Sequence, residues 1–262
     1  MVWPQCASAS GKAVPLCTKI CSMRYKIELS YIGTPFGGWQ IQTNAPSVQE
    51  TLQKVLGTVC DEPIDLVGCG RTDSGVHASQ FFAHFETENP IPSNIPHRVN
   101  RLLPNEIAVI SCEICEPSFH ARYSAIQREY QYHICSQKNP FTANTSWWTA
   151  KTPNIDKMNE CANTLLGEHP FTAFCKGEIP NGNPLCTIFK AEWIRTDTGY
   201  TFTIISNRFL RNMVRSLVGF LLEVGLETMS KEEFTRVFMK AERAENGHSV
   251  PAEGLCLSRV VY

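Results

Sequence analysis

The sequence lacks the features that mark membrane and secreted proteins. It has no run of about 18 consecutive apolar residues, the length that a membrane-spanning helix needs. Residues 1–22 contain no apolar stretch of useful length before a cleavage site, so a secretory signal is not predicted. The sequence therefore predicts a protein without a membrane anchor, and we expect it in the cytoplasm.

The chain also has little net charge. Its 24 Lys and Arg residues nearly balance 25 Asp and Glu residues, which gives a formal net charge of -1. The overall balance therefore does not indicate a nucleic-acid partner. Any nucleic-acid-binding surface must be local and made by basic residues that share one face.

Twelve cysteines are present, but their setting does not favour a disulfide framework. A chain of 262 residues can bury a core without such cross-links. Most of the cysteines stand in apolar stretches, where a free cysteine behaves as a small hydrophobic residue. Cys112 and Cys115 have the spacing of zinc ligands, but no second pair accompanies them. We therefore predict reduced thiols, as in a cytosolic protein, and no metal site.

Regular hydrophobic patterns begin just after Met23. We predict that residues 1–22 are a disordered extension, that 23–120 form an N-terminal lobe and that 121–262 form a C-terminal lobe. Strands and helices mix without strict alternation, which favours an α+β fold over a doubly wound one. The similar order of elements in the two halves predicts two related α/β lobes with a cleft between them.

Alternating and helical spacings predict the individual elements. Strands are predicted at 25–31, 64–67, 80–86, 107–114, 130–134, 189–194, 200–206 and 255–262. Helices are predicted at 48–59, 95–103, 158–166 and 212–224, and a short one is predicted after Ser230. Ser47 with Glu50, and Ser230 with Glu233, have the spacing of capping boxes. The helix at 212–224 is apolar nearly all round, so we expect it to be buried.

The octapeptide at 70–77, GRTDSGVH, places charged residues in a tight turn between two apolar segments. Its two glycines permit unusual dihedral angles and the close approach of a ligand. Arg71 offers a bidentate fork for a phosphate or a carboxylate, and Asp73 offers an ionised oxygen. These residues alone also fit a plain polar loop, in which Arg71 and Thr72 satisfy backbone groups.

A second stretch interleaves aromatic rings with a basic residue. Segment 119–125 (FHARYSA) contains Arg122 and no acidic residue, and Arg128 and Tyr130 follow closely. This composition suits the binding of unstacked bases and phosphates. The alternative is an ordinary entrance to a strand with a buried Tyr130.

A third stretch, 207–215 (NRFLRNMVR), places three arginines at one end of the apolar helix. Arg208 and Arg211 can remain solvated there. Arg215 enters the buried helix and should seek a carboxylate, because an unpaired buried charge is unfavourable. A further basic group consists of His97, Arg98 and Arg101.

Taken together and in order, several motifs resemble the TruA-type tRNA pseudouridine synthase family. The motifs are YIGTPFGGWQIQ at 31–42, SVQE at 47–50, GRTDSGVHA at 70–78, NRLLP at 100–104, FHARYSA at 119–125, LGEHPFTAF at 166–174, FLRNMVRSLVG at 209–219 and PAEGL at 251–255. The resemblance covers about Met23 to Tyr262. It implies the pseudouridine synthase fold, with the active-site cleft between the two lobes.

The resemblance also implies an isomerase that acts on uridine at positions 38, 39 and 40, in the anticodon stem-loop of tRNA. The reaction breaks the C1′–N1 glycosidic bond, rotates the uracil and joins C1′ to C5, and it needs neither a cofactor nor a metal. Asp73 would be the catalytic carboxylate, with Arg215 as its partner. Tyr130 would stack on the flipped base, and Arg71 would help to open the target pair.

Further residues would contact the RNA by the same resemblance. They are His77, Arg98, Arg122, Arg208 and Arg211. Members of the family act as homodimers in which one tRNA touches both subunits. The expected partners are therefore tRNA and a second copy of the chain.

The sequence departs from the family pattern at Ile32, Pro170, Cys186 and 246–250. These departures affect secondary contacts and the choice of tRNAs rather than the reaction. Three alternatives stay open. The protein could be a non-catalytic tRNA-binding or folding protein with the same fold. It could use Asp73 with a metal for phosphoryl transfer or hydrolysis, although a P-loop and clustered acidic ligands are missing. It could also modify a different uridine.

Overall fold

A computed structural model describes residues 22–240 and 249–262. The predicted extension at 1–22 lies outside the described residues except for Ser22, and so does most of 246–250. The described strands are β1 (Met23–Tyr31), β2 (Val67–Gly68), β3 (His77–Thr87), β4 (Ile107–Ile114), β5 (Gln127–Cys135), β6 (Trp147–Trp148), β7 (Gly167–Pro170), β8 (Leu185–Thr196), β9 (Gly199–Ser206) and β10 (Leu255–Val261). The described helices are α1 (Val48–Cys60), α2 (Ile95–Asn100), α3 (Ile155–Asn163), α4 (Met213–Gly225) and α5 (Lys231–Met239).

All of these strands join one sheet, in the order β4-β1-β3-β10-β5-β9-β8-β7, with β2 paired to β3 and β6 paired to β5. Strand β10 lies between the two halves of the sheet, parallel to β3 and antiparallel to β5. The β5–β6 pair is also parallel, and the other pairs are antiparallel. A mixed sheet with packed helices confirms the predicted α+β class.

The hydrophobic core has two parts, one for each half of the sheet. Strands β1 and β3 with helix α1 build the first part, and β8 and β9 with α3 and α4 build the second. Strand β10 serves both, because Leu257 packs in the first part and Leu255 in the second. The half-buried Tyr130 packs against both parts as well. The proposed division into lobes near residue 120 stays a prediction, since the last strand belongs to both cores.

Several elements differ from the sequence prediction: β6 and β7 were not predicted, and α3 ends at Asn163 rather than at 166. The strand expected at 64–67 is reduced to β2 at Val67–Gly68. The helix expected at 95–103 ends at Asn100, whose side chain accepts a hydrogen bond from Val109 N (2.7 Å) and donates one to Val109 O (2.8 Å). Leu102, which falls within the predicted helix, lies beyond its observed end and is 55% exposed. The helix thus ends where Asn100 bonds to β4, while Leu103 beyond it remains buried in the core.

The cap of α5 and the buried helix agree with the sequence prediction, whereas the described contacts at α1 give only the Ser47 half of the predicted capping box. Ser230 and Glu233 form both hydrogen bonds of a capping box at the start of α5. At α1, Ser47 Oγ accepts a hydrogen bond from Glu50 N at 3.2 Å. Most of α4 is buried, and the helix begins at Met213, so Arg215 lies in its first turn.

Within the described residues, no helix is both long enough and apolar enough to cross a membrane. Cys69 and Cys112 are free thiols. Burial raises the pKa of Cys69 to about 11 and that of Cys112 to about 12. These side chains are therefore neutral at physiological pH.

Candidate active site

The 70–76 loop joins β2 to β3, two strands that pair antiparallel. The loop turns back on itself, because Val76 N donates to Asp73 O at 3.1 Å. Gly75 has φ +79°, a left-handed conformation that favours glycine. Its N–H donates to Phe36 O at 3.3 Å. The loop is therefore a closed turn that is tied to the segment after β1.

The residue before Asp73 fixes the middle of the loop. Thr72 is buried, and its Oγ1 shares a hydrogen bond with the hydroxyl of Tyr31 at 2.9 Å. Its carbonyl oxygen accepts a hydrogen bond from Trp39 N at 3.2 Å. Trp39 is itself buried and stacks on Phe81, with 4.1 Å between the ring centroids. A buried polar contact of this kind holds one backbone geometry.

Two glycines of the motif at 31–42 lie against the backbone of this loop. A Cβ on Gly38, which has φ +103°, would lie 2.4 Å from Thr72 O. A Cβ on Gly33 would lie 2.0 Å from Val76 O. These contacts explain why a motif some 40 residues earlier in the chain accompanies the loop: only glycine allows the two backbones to approach so closely.

Asp73 and Arg215 face each other across the site. The Arg215 Nη1 and Asp73 Oδ2 atoms are 3.9 Å apart, and the side chains are 21% and 29% exposed. Arg215 Nε donates to Val250 O at 2.8 Å, which orients the guanidinium. The separation is that of an ion pair without a hydrogen bond. No hydrogen bond from the described residues reaches the Asp73 carboxylate, so its oxygens are available to a substrate.

Tyr130 lies on β5 beside this pair. Its ring packs edge-on against Phe209, with 5.1 Å between the centroids. Burial raises the pKa of Tyr130, and the nearby Cys69 and Asp73 raise it further. The side chain is therefore a neutral phenol at physiological pH, close enough to Asp73 to respond to its charge.

Arg71 projects from the same loop into solvent. Its Nε donates to the Oε1 of Gln40 at 3.1 Å. Both residues belong to motifs that the sequence analysis singled out. The side chain stays accessible for a ligand, since that amide is its only hydrogen-bond partner among the described residues.

The predicted RNA-binding arginines occupy different settings; we call Arg98, Arg122, Arg208 and Arg211 the outer arginines. Arg122 is exposed, with its guanidinium 5.7 Å from the centroid of the Tyr123 ring. Arg211 is exposed as well, whereas Arg208 is half-buried and donates from Nη1 to a backbone carbonyl at 3.2 Å. Arg98 is exposed on α2, which packs against α1 and β4, and no described contact joins it to the loop.

His77 requires a correction, because the structure does not present it to RNA. It is 3% exposed. Its Nδ1 accepts a hydrogen bond from Gly33 N at 2.9 Å, and its Nε2 lies 3.2 Å from Glu253 O. Both ring nitrogens are thus engaged within the protein. The end of the loop is tied in this way to the C-terminal segment before β10.

The sequence analysis counted Arg128, two residues before Tyr130, only as part of a stretch suited to bases and phosphates. Its guanidinium donates to Cys69 O at 3.1 Å and to Asn207 O at 2.8 Å. These bonds bring the basic stretch at 207–211 next to the start of the loop. The only sequence signal was a cation just before the predicted strand 130–134, two residues from a predicted site residue.

No metal centre is part of this arrangement. Among the residues described, no group of three or more His, Cys, Asp or Glu side chains could hold a metal ion. A cavity of about 770 Å³ does exist, but it is lined by residues such as Ser79, His133 and Thr142, and neither Asp73 nor Arg215 reaches it. The candidate site is the open surface around the Asp73 carboxylate.

Comparisons with known proteins identify the family of this chain. The family described as tRNA pseudouridine synthase matches residues 161–262. The chain is 41% identical to the tRNA pseudouridine synthase A of Bacteroides thetaiotaomicron over 243 residues, 91% of this chain and 90% of that one. It is 37% identical to the Bacillus subtilis protein of the same name over 92% of this chain and 99% of that one. With this identity over nearly its whole length, the chain belongs to the tRNA pseudouridine synthase A family.

Proposed function

We propose that this chain isomerises uridine to pseudouridine at positions 38, 39 and 40 of tRNA, the activity of the tRNA pseudouridine(38–40) synthases. Family membership supports the reaction class. The observation that carries the residue assignment is the 3.9 Å approach of Arg215 to Asp73, with the carboxylate oxygens free and Tyr130 alongside. The proposed site needs neither a cofactor nor a metal.

Asp73 is the proposed catalytic carboxylate. The isomerisation breaks the C1′–N1 bond, rotates the uracil within the site and forms a C1′–C5 bond, while C5 loses a proton and N1 gains one. A carboxylate can attack, or stabilise positive character on, the sugar or the base during these steps. Arg215 places a positive charge 3.9 Å from the carboxylate and helps to orient it.

Tyr130 and Arg71 are the proposed contacts for the flipped nucleotide. A base inside a stem must leave its stack before its glycosidic bond can be reached. The Tyr130 ring offers a stacking surface, and its neutral hydroxyl can exchange hydrogen bonds with the base. Arg71 is exposed and lightly held, so it can enter the space that the uridine leaves.

Phosphate contacts are assigned to the outer arginines. Exposed guanidinium groups displace the counterions of RNA, and this supplies much of its binding free energy. By family likeness the enzyme acts as a homodimer, with each tRNA touching both subunits, in the cytoplasm. Light scattering at working concentration tests the dimer, and a monomeric mass would contradict it.

Product mapping tests the reaction itself. The protein is incubated with unmodified tRNA, and pseudouridine is located by carbodiimide treatment and primer extension. We expect pseudouridine at positions 38, 39 or 40. Pseudouridine found only at other positions would refute the proposed target positions. Insensitivity of the activity to EDTA would exclude the metal-dependent alternative.

Substitution of Asp73 separates an enzyme from a non-catalytic RNA-binding protein. Asp73→Ala should bind tRNA as the wild type does and yield no product, whereas Asp197→Ala is the matched control. Asp197 is exposed in the turn between β8 and β9 and should leave the activity unchanged. Measurable turnover by Asp73→Ala would remove this residue from its proposed role.

A further inference from the structure

Arg128 forms hydrogen bonds to three separate segments of the chain. Its Nη2 donates to Cys69 O at 3.1 Å and to Arg122 O at 2.5 Å. Its Nη1 donates to Asn207 O at 2.8 Å and to Ala125 O at 3.2 Å. All four acceptors are backbone carbonyl oxygens, so the contacts depend on the path of the chain rather than on particular side chains.

Three of these carbonyl groups stand within two residues of the end of a strand, and the fourth, that of Arg122, stands five residues before β5. Cys69 follows β2 and opens the 70–76 loop, four residues before Asp73. Asn207 follows β9 and opens the segment that leads into α4 and Arg215. Arg122 and Ala125 precede β5. One side chain therefore connects the segment that carries Asp73, the segment that carries Arg215 and a predicted RNA-binding segment.

A guanidinium is suited to this position in a way that an ammonium is not. It is planar and rigid, with five N–H donors that point in fixed directions, whereas lysine concentrates its donors on one atom. Arg128 is half-buried, and no carboxylate of the described residues pairs with it. Its charge is instead balanced by the four carbonyl dipoles, which makes these hydrogen bonds stronger than neutral ones.

We propose that Arg128 is a positioning residue, which holds Asp73 and Arg215 in register by fixing the backbone where their two segments begin. It acts through these segments and not on the RNA, because both of its terminal nitrogens are engaged with carbonyl groups. In this respect it differs from the outer arginines. The expected loss of turnover rests on the proposed function, whereas the expected loosening of the three segments does not.

Kinetics of Arg128→Lys and Arg128→Gln test the catalytic consequence. Misplacement of reacting groups by about 1 Å can lower a rate by about 100-fold. We expect both variants to lower kcat at saturating tRNA by about 10- to 100-fold while KM and the tRNA dissociation constant change less than about 3-fold. Arg195→Lys and Arg195→Gln are the matched controls, since Arg195 is exposed at the opposite end of the β8–β9 ladder from Asn207.

Amide hydrogen exchange tests the positioning without any need for activity. In Arg128→Lys, exchange should quicken in the 70–76 loop, in 119–125 and in 207–212, and should stay unchanged in α3 and β8 of the same sample. A merely destabilised protein would instead show faster exchange throughout. Arg128→Lys keeps the charge and the aliphatic stem, so it provides the measurement if Arg128→Gln does not fold.

The possible outcomes separate the explanations. Full recovery of kcat in Arg128→Lys would overturn the proposal, because charge alone would then suffice. A raised KM with unchanged kcat would overturn it in favour of direct RNA contact. Faster exchange confined to the three segments, in a protein whose wild type forms no pseudouridine, would refute the proposed function and still support the positioning role.

Discussion

The 70–76 loop and the outer arginines are built in opposite ways. The loop is fixed by a buried threonine, by close glycine contacts and by the backbone bonds of Arg128. Arg98, Arg122 and Arg211 are exposed. Arg128, which holds the loop, is half-buried, and burial decides what an arginine can do. A guanidinium held by the protein positions groups, whereas an exposed one remains free for phosphate.

The difference corresponds to two physical requirements. A reacting carboxylate must be held close to its productive geometry, so its neighbours need locked conformations. Phosphate binding needs charge at the surface and tolerates side-chain motion, because its main contribution is counterion release. Changes in the loop should therefore affect turnover, and changes in the outer arginines should affect affinity and its salt dependence.

The largest effect is expected from Arg215→Met. Without the guanidinium, the Asp73 carboxylate loses the positive charge 3.9 Å away, and kcat should fall by about 100- to 1,000-fold. Arg215→Lys should recover part of this loss, since it restores the charge but not the Nε bond to Val250 O. Steady-state kinetics on unmodified tRNA measure both. If kcat in Arg215→Met stays within about 3-fold of the wild type, the claim that arginines held by the protein control turnover is wrong.

Gly38→Ala should disturb the loop through its backbone. The added Cβ would lie 2.4 Å from Thr72 O, on a residue with φ +103°, so strain and overlap together should cost about 3 kcal/mol of unfolding free energy. Urea unfolding measures this cost, and kcat should fall with it. Gly70→Ala is the matched control for stability, because its Cβ would have no neighbour within 4 Å. Equal unfolding midpoints for the two variants would contradict the packing argument.

Local patterns predicted the parts of the molecule that depend on local physics. Hydrophobic periodicity located most strands and helices, and the unfavourable free energy of a lone buried charge led from Arg215 to a carboxylate partner. The burial of His77 was not predictable in this way. It depends on Gly33 and Glu253, two backbone segments that are remote from it in sequence.

The same reasoning explains why the positioning role of Arg128 was not predicted. Its acceptors are carbonyl groups, and a carbonyl leaves no trace in the sequence of side chains. The insertion of β10 between β3 and β5 is likewise a long-range pairing without a local signal. Side-chain chemistry is thus visible in a sequence, while the backbone contacts that position it must be seen in the fold.

A smaller effect is expected from His84, which supports the segment that carries Arg122. His84 is buried, and its Nδ1 accepts a hydrogen bond from Ala121 N at 3.1 Å. Burial lowers its pKa to about 4, with further lowering by His120 and Arg24. The folded protein therefore resists a proton that the unfolded chain accepts near its ordinary pKa of about 6.5, so stability is present above about pH 6.5 and is lost towards pH 4.

His84→Asn tests this dependence on pH. Asparagine keeps an acceptor for Ala121 N but has no proton to gain, so stability should decline less between pH 7 and pH 4.5, by about 2 kcal/mol. Urea unfolding at the two pH values gives the comparison. Parallel declines in wild type and variant would show that His84 does not titrate with unfolding.

The smallest effect is expected from Arg211→Gln, and it should be of a different kind. Arg211 is exposed, so its removal should weaken tRNA binding by about 3- to 10-fold at low salt and lower the slope of log affinity against log salt by about 1. The kcat at saturating tRNA should stay unchanged, as should every parameter of the control Arg195→Gln. Titration of labelled tRNA at several salt concentrations gives the slope. A fall in kcat with an unchanged salt slope would show that Arg211 positions reacting groups, as the loop does. Burial would then not decide whether an arginine affects turnover or affinity.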